Sequence, residues 1–239
     1  MPDVKASVAA ATPARDEPAT ADGQTVTATF CFVDIAGYTA LTDSHGERVA
    51  ADLVDEFTRL IHAAVEASGD VQELVGDQAF LVFPDPLAAI AAIRALYLDV
   101  ASLWDFPKLR TGIHHGPALY RSSRYFGSTI NIAARTAAHA VGGEILCTVA
   151  VAETLAGAHI PDLSIDPIGK VRLKNLPQQV DLYRIKLTDL SERRVVDPVC
   201  HMQVDVKTAA AHQHFNARQY WFCSGACSER FAANPSDFV

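Results

Sequence analysis

FCFVDIAGYT, residues 30–39, is an apolar run that ends on one carboxylate, Asp34, and passes at once into glycine and small residues. Its β-branched and aromatic content is that of a buried strand. An aspartate placed where such a strand emerges into a loop is held rigidly yet reaches solvent. The turn after it can aim main-chain N–H groups at an anion. This is the outline of a metal and phosphate site. The simpler reading is that Asp34 only caps the helix that follows, and two motifs further along the chain decide against it.

Working outward, the strand is expected to run from Thr25 to Ile35, with Tyr38 to Thr42 leading into a long helix. Between Glu47 and Ala67, Leu53, Phe57, Leu60, Ile61 and Val65 recur at spacings of three and four, which marks one buried helical face. VQELVGDQAFLVF then reads as two strands joined at Gly76 and Asp77, placing Asp77 at a hairpin tip. A second helix is expected from about Pro86 to Leu103 and a strand over LRTGIHHG, where the adjacent His114 and His115 point to opposite faces and are structural. YFGSTINIAARTAAHA opens on a glycine turn and becomes a helix with Asn131 and Arg135 four apart on one face. EILCT is a strand, a short helix follows from about Val149 to Leu155, and IDPIGKVRLKNLPQQVDLYRI reads as a closing hairpin around Asn175 to Gln178. Strands and helices alternate without a regular repeat, so the class is α/β or α+β with a mixed sheet.

The chain has 239 residues, a net charge of -8 and 49% hydrophobic content, enough for one main domain and a small second one. A pI near 5.5 argues against nucleic acid or an anionic membrane surface as partner. Apolar stretches such as 87–100 are interrupted by Arg94 and Asp99 and fall short of the roughly 18–20 residues a membrane span needs. Without an apolar signal core, the protein is expected to be cytoplasmic. Residues 1–24, rich in Ala, Pro, Thr, Asp and Glu, are expected to be a disordered leader. Of the five cysteines, Cys31 and Cys147 stand alone in apolar runs and read as small core residues, while Cys200, Cys223 and Cys227 gather near the end and look like metal ligands.

Together, FVDIAGYT, LVGDQAFLVF and FGSTINIAAR resemble the three signature blocks of the class III adenylate/guanylate cyclase catalytic domain, in order, over about residues 25–186. The resemblance implies a ferredoxin-like core, a mixed sheet with helices on one side, working as a head-to-tail homodimer with sites at the interface. Asp34, Ile35 and Asp77 match the family's metal positions, and two hard carboxylates from neighbouring strand ends suit two Mg2+ or Mn2+ ions per site. Asn131 and Arg135 match the transition-state pair, Asn orienting the ribose and Arg stabilising charge on phosphorus. Gly37, Tyr38 and Thr39 fall in the substrate loop. Lys174 lies where the family keeps a basic residue near the phosphates, with Lys170 and Arg172 also at hand. The implied activity is conversion of ATP, or a related nucleoside triphosphate, to cyclic AMP and pyrophosphate. At the base-reading positions, where members that make cyclic AMP carry lysine and aspartate, this chain has Glu73 and Arg124, which reverses both signs.

After a linker over 187–195, residues 196–239 resemble a YHS domain, carried by DPVCHM, YWFCSGAC and FAANPSDF. A segment this short needs a metal, disulfide or partner to stay folded. Cys200, Cys223 and Cys227 can supply thiolates to Zn2+ or Cu+, with His201, His212 and His214 as candidates for the fourth ligand. The tail then reads either as a static metal-stapled knob or as a sensor controlling the cyclase part. Two rival functions stand beside catalysis: a non-catalytic nucleotide-binding or dimerisation module, and a metal chaperone or resistance factor with the cyclase-like part as scaffold.

Overall fold

The computed structural model describes residues 23–103, 105–188 and 195–239. Most of the expected leader (1–22) and most of the linker (189–194) lie outside the described residues.

The first strand, β1 (Gln24–Ile35), is followed by two helices, α1 (Tyr38–His45) and α2 (Glu47–Val65). The hairpin β2 (Asp70–Val75) and β3 (Gln78–Phe83) comes next, then α3 (Pro86–Ser102), β4 (Leu109–Arg121) and the short β5 (Arg124–Phe126). Then come α4 (Ser128–His139), β6 (Ile145–Thr148), α5 (Val149–Ala158) and the closing hairpin β7 (Leu163–Val171) and β8 (Val180–Leu187). The eight strands form one sheet in the order β2-β3-β1-β4-β6-β8-β7, with β5 paired to β4. Only β4 and β6 run parallel, so the sheet is mixed as expected.

Local chemistry accounts for most boundaries. Asp85 caps α3 by accepting from the Leu87 and Ala88 N–H groups at 2.8 and 2.9 Å, and Pro86 opens the first turn. The helix after Asp34 is not continuous. Gly46, at φ 84°, a conformation that only glycine adopts without strain, separates α1 from α2.

Alternation along β1 sorts its side chains to two faces. Cys31, Val33 and Ile35 face a core with Phe57 and Ile61 of α2 and Ile93 of α3, in which Cys147 is also buried. Phe30 and Ala28 face the other way, onto Ala133 of α4. The expectation of helices on one side is therefore corrected: α4 covers the second face. It can do so because a Cβ on Gly112 of β4 would fall inside the α4 main chain at Ala133 and Ala137, an approach only glycine permits. His114 and His115 go to opposite sides, to Thr148 at 2.6 Å and Thr29 at 2.9 Å.

The tail contains β9 (Val195–Val196), β10 (Gln203–Val204), the hairpin β11 (Ala211–Phe215) and β12 (Arg218–Phe222), and α6 (Gly225–Ala233). It does not stand apart. Its apolar cluster of Val199, Met202, Phe222 and Phe231 also takes in Leu41 of α1 and Ala50 of α2. Main-chain bonds reinforce the seam: Lys108 N–H donates to His201 O at 3.2 Å, and Gln203 N–H to Phe106 O at 3.3 Å.

Candidate functional site

Two sites emerge, one on either side of α1. The first is at the end of β1. Asp34 is the last even-numbered residue of the strand, buried on the face that α4 covers, and its neighbours in the sheet are Gln78 and Arg110. The Asp77 main-chain carbonyl, in the β2–β3 turn, accepts from Ile35 N–H at 3.0 Å, which ties the hairpin tip to the strand end. The Asp77 carboxyl lies close enough to help raise the proton affinity of Asp34, whose pKa is pushed up to about 6 by burial first, with Arg110 pulling the other way. Arg110 donates from Nε to Asp34 Oδ2 at 2.6 Å, and its terminal nitrogen contacts the same oxygen. The sequence reading missed Arg110. Its signal was its place in LRTGIHHG beside the β1 carboxylate, legible only once the strand pairing is known.

These donors are hard oxygens crowded at one point, with a cation already on one of them. Two adjacent carboxylates fit Mg2+ or Mn2+ in place of, or beside, that guanidinium.

The other expected site residues fall as follows. Gly37 and exposed Thr39 bracket the start of α1. The Tyr38 ring packs against both the main core and the tail cluster, leaving its main-chain N–H as what it can offer a phosphate. Asn131 and Arg135 sit one turn apart on α4 while Ala133 and Thr136 turn inward. Among the described residues, neither side chain has a hydrogen-bond or ion-pair partner. Glu73 on β2 and Arg124 on β5 are both exposed, and among the described residues no ion pair joins them. Lys174 is exposed in the turn between β7 and β8. A cavity of about 440 Å³ lined by Tyr97, Lys108, Glu144, Arg184 and Gln203 contains none of these residues.

The second site is in the tail. Cys200, Cys223 and Cys227 converge, and the fourth donor is His45, the last residue of α1 in the cyclase part; the four ligand atoms all lie within 4.8 Å of one another. None of the tail histidines joins them. The His201 ring lies where a Cβ on Gly37 would be, and His212 stacks obliquely on Trp221 at 5.1 Å, with His214 beside it. Fully buried Asp197 shapes the cluster, accepting at Oδ1 from Val199 N–H at 2.8 Å and at Oδ2 from Cys223 N–H at 2.9 Å. Ser224 caps α6 and accepts from Cys227 N–H, setting that thiol in the first helical turn, where the helix dipole favours a thiolate. The Cys227 thiol is held well below the ordinary thiol range by hydrogen bonds from Cys200 and Cys223.

Residues 22–186 match the adenylate and guanylate cyclase catalytic domain, and residues 195–239 match the YHS domain. The chain belongs to the adenylate and guanylate cyclase family, with a YHS domain after the catalytic one. It is 31% identical over 169 residues to a pH-sensitive adenylate cyclase of Mycobacterium tuberculosis, covering 66% of this chain and 40% of that protein. Among solved structures it resembles an adenylate cyclase of Trypanosoma brucei in its monomeric state (TM-score 0.63, 22% identity, 69% of this chain and 90% of that one). It also resembles the adenylyl cyclase CyaB from P. aeruginosa (TM-score 0.60, 20% identity, 68% and 94%). The chain spans less than half the length of the M. tuberculosis relative. No described helix is long and apolar enough to cross a membrane.

Proposed function

We propose that the protein is a homodimeric, divalent-metal-dependent cyclase that converts ATP to cyclic AMP and pyrophosphate. The observation that carries the reading is the meeting of Asp34 and Asp77 at one strand end within a chain of this family. Asp34, Asp77 and the main chain at Ile35 would hold the ions. Bound there, they would activate the ribose 3′-hydroxyl and neutralise the departing pyrophosphate. The N–H groups of residues 37–39, at the start of α1, point positive partial charge at the triphosphate, and Lys174 adds a mobile cation. Asn131 and Arg135 of a second copy face this half-site, Asn131 orienting the ribose and Arg135 meeting charge that develops on the phosphorus. Their lack of partners among the described residues supports that arrangement.

The test is turnover of ATP and of GTP with Mn2+ by the purified dimer. Asp34→Ala abolishes product, and Arg135→Ala lowers the rate by about 100 to 1,000-fold while the dimer persists. No product from either nucleotide with folded, dimeric protein would end the reading. A second reading, a nucleotide-binding module without turnover, draws on the Arg110 guanidinium seated on Asp34 and on the reversed charges at Glu73 and Arg124. Nucleotide binding with no product would establish it instead. In either case the tail cysteines are read as a metal site acting on the cyclase part.

A further inference from the structure

The tail metal site is not confined to the tail. Cys223 Sγ lies 3.3 Å from His45 Nε2 and Cys227 Sγ lies 3.8 Å from it. Cys200 Sγ is 3.3 Å from Cys223 Sγ, which is 3.8 Å from Cys227 Sγ. A tetrahedral Zn2+ with bonds of about 2.3 Å to sulfur and 2.0 Å to nitrogen holds its ligands roughly 3.5 to 3.8 Å apart. The four atoms already stand near the corners such an ion requires.

We infer that His45 and the three tail cysteines form one site, of a single imidazole and three thiolates, for a borderline d10 ion, Zn2+ by donor set, shared between the catalytic and YHS domains. The site staples the tail to α1. Two independent observations place the partners in register for it, and a third fixes the cysteine loops themselves. Leu41 and Ala50 are buried in the tail's own apolar cluster. Arg230 of α6 donates to Ala40 O at 3.2 Å and Ser44 Oγ at 2.9 Å. Asp197 holds both cysteine loops by their N–H groups, the outer layer of support that fixes metal ligands. Because α1 begins at the β1 strand end and finishes at His45, the ion holds in place the helix that carries the substrate loop. His201, next to ligand Cys200, rests on Gly37 at the other end of that helix. The inference deepens the reading of the tail as a metal site and is independent of whether the cyclase part turns over nucleotide.

The experiment uses the full chain, reduced and stripped of metal, titrated with Co2+ as a spectroscopic stand-in and then competed with Zn2+. The wild type binds one Co2+ with the intense visible bands of a tetrahedral ion and thiolate charge transfer; Co2+ at the carboxylate site is distinguished by its weak octahedral spectrum. His45→Ala weakens binding at least about 100-fold, since even outer-layer partners are worth 10 to 100-fold. His45→Cys keeps the tetrahedral spectrum with added thiolate charge transfer, and decides the matter if the alanine variant fails to fold. Zn2+ slows hydrogen exchange across residues 38–45 in the wild type and not in His45→Ala. The inference is overturned if the wild type shows no tetrahedral Co2+ spectrum, if His45→Ala matches it in affinity and spectrum, if His45→Cys leaves the charge transfer unchanged, or if Zn2+ leaves exchange in 38–45 unaltered. None of these readouts depends on cyclic nucleotide formation.

Discussion

Arg110→Gln removes the cation that rests on Asp34, and the cost can be worked from the pair itself. The Asp34 side chain is 6% exposed and that of Arg110 35% exposed. Stranding a buried carboxylate costs roughly 3 to 5 kcal/mol, but the chain has a cheaper response, which is to bind a proton. In the wild type, burial raises the Asp34 pKa from 3.8 to about 6. The folded state therefore binds more protons than the unfolded state between those values, and stability falls as pH rises through that window. Above pH 6 the wild type is ionised and the slope from this group vanishes. In the variant the carboxyl titrates higher still, so the decline continues. The gap between the two proteins is therefore smallest at pH 5.5 and widens with pH, by at most about 1.4 kcal/mol per pH unit above pH 6 and so to no more than roughly 3 kcal/mol at pH 8. For a chain of this length each kcal/mol is worth about 2 to 4 °C in Tm. Thermal unfolding followed by circular dichroism at pH 5.5, 7 and 8 reads the gap directly. Saturating Mg2+ at pH 8 closes it, because a divalent ion takes over the charge that Arg110 supplied. An equal loss at pH 5.5 and pH 8, or a gap indifferent to Mg2+, would refute the picture of Asp34 as a carboxylate in need of a cation.

Two further outcomes follow from the fold. Gly112→Ala drives a methyl into the α4 main chain; urea unfolding should register a loss of about 1 to 3 kcal/mol, and displaced Asn131 and Arg135 should lower turnover by up to about 100-fold. Glu73→Lys combined with Arg124→Asp should raise the ratio of kcat/KM for ATP over GTP at least about 10-fold, the worth of one net hydrogen bond, as measured in competition between the two nucleotides.

The parts of this molecule that are local in the chain were legible in its sequence. Asp34 at a strand end, Asp77 at a Gly-Asp hairpin tip and the four-residue spacing of Asn131 and Arg135 each follow from turn chemistry and periodicity. Cys31 and Cys147 were readable as core because each sits in an apolar strand. Legibility failed where placement depends on elements far apart in the chain. Arg110 meets Asp34 only through the β1–β4 register, which no short window encodes. Gly46 interrupts a pattern whose apolar spacing is helical on both sides, so periodicity alone runs through it. That α4 covers the opposite face depends on Gly112, a single missing side chain on another strand. His45 carried no signal at all: metal-ligand spacing rules work within a loop or one helical turn, and the nearer His201, His212 and His214 were the natural candidates. His201 and His212 instead have packing work, His201 on Gly37 and His212 on Trp221.

The eight-residue α1 has a glycine of positive φ at each end, Gly37 at φ 73° and Gly46 at φ 84°. A two-turn rod bounded by such glycines shifts as one piece, and the tail grips it along its length, His201 at Gly37, Arg230 at Ala40 and Ser44, and two cysteines at His45. Any displacement of the tail would therefore be shared by both ends of the helix at once.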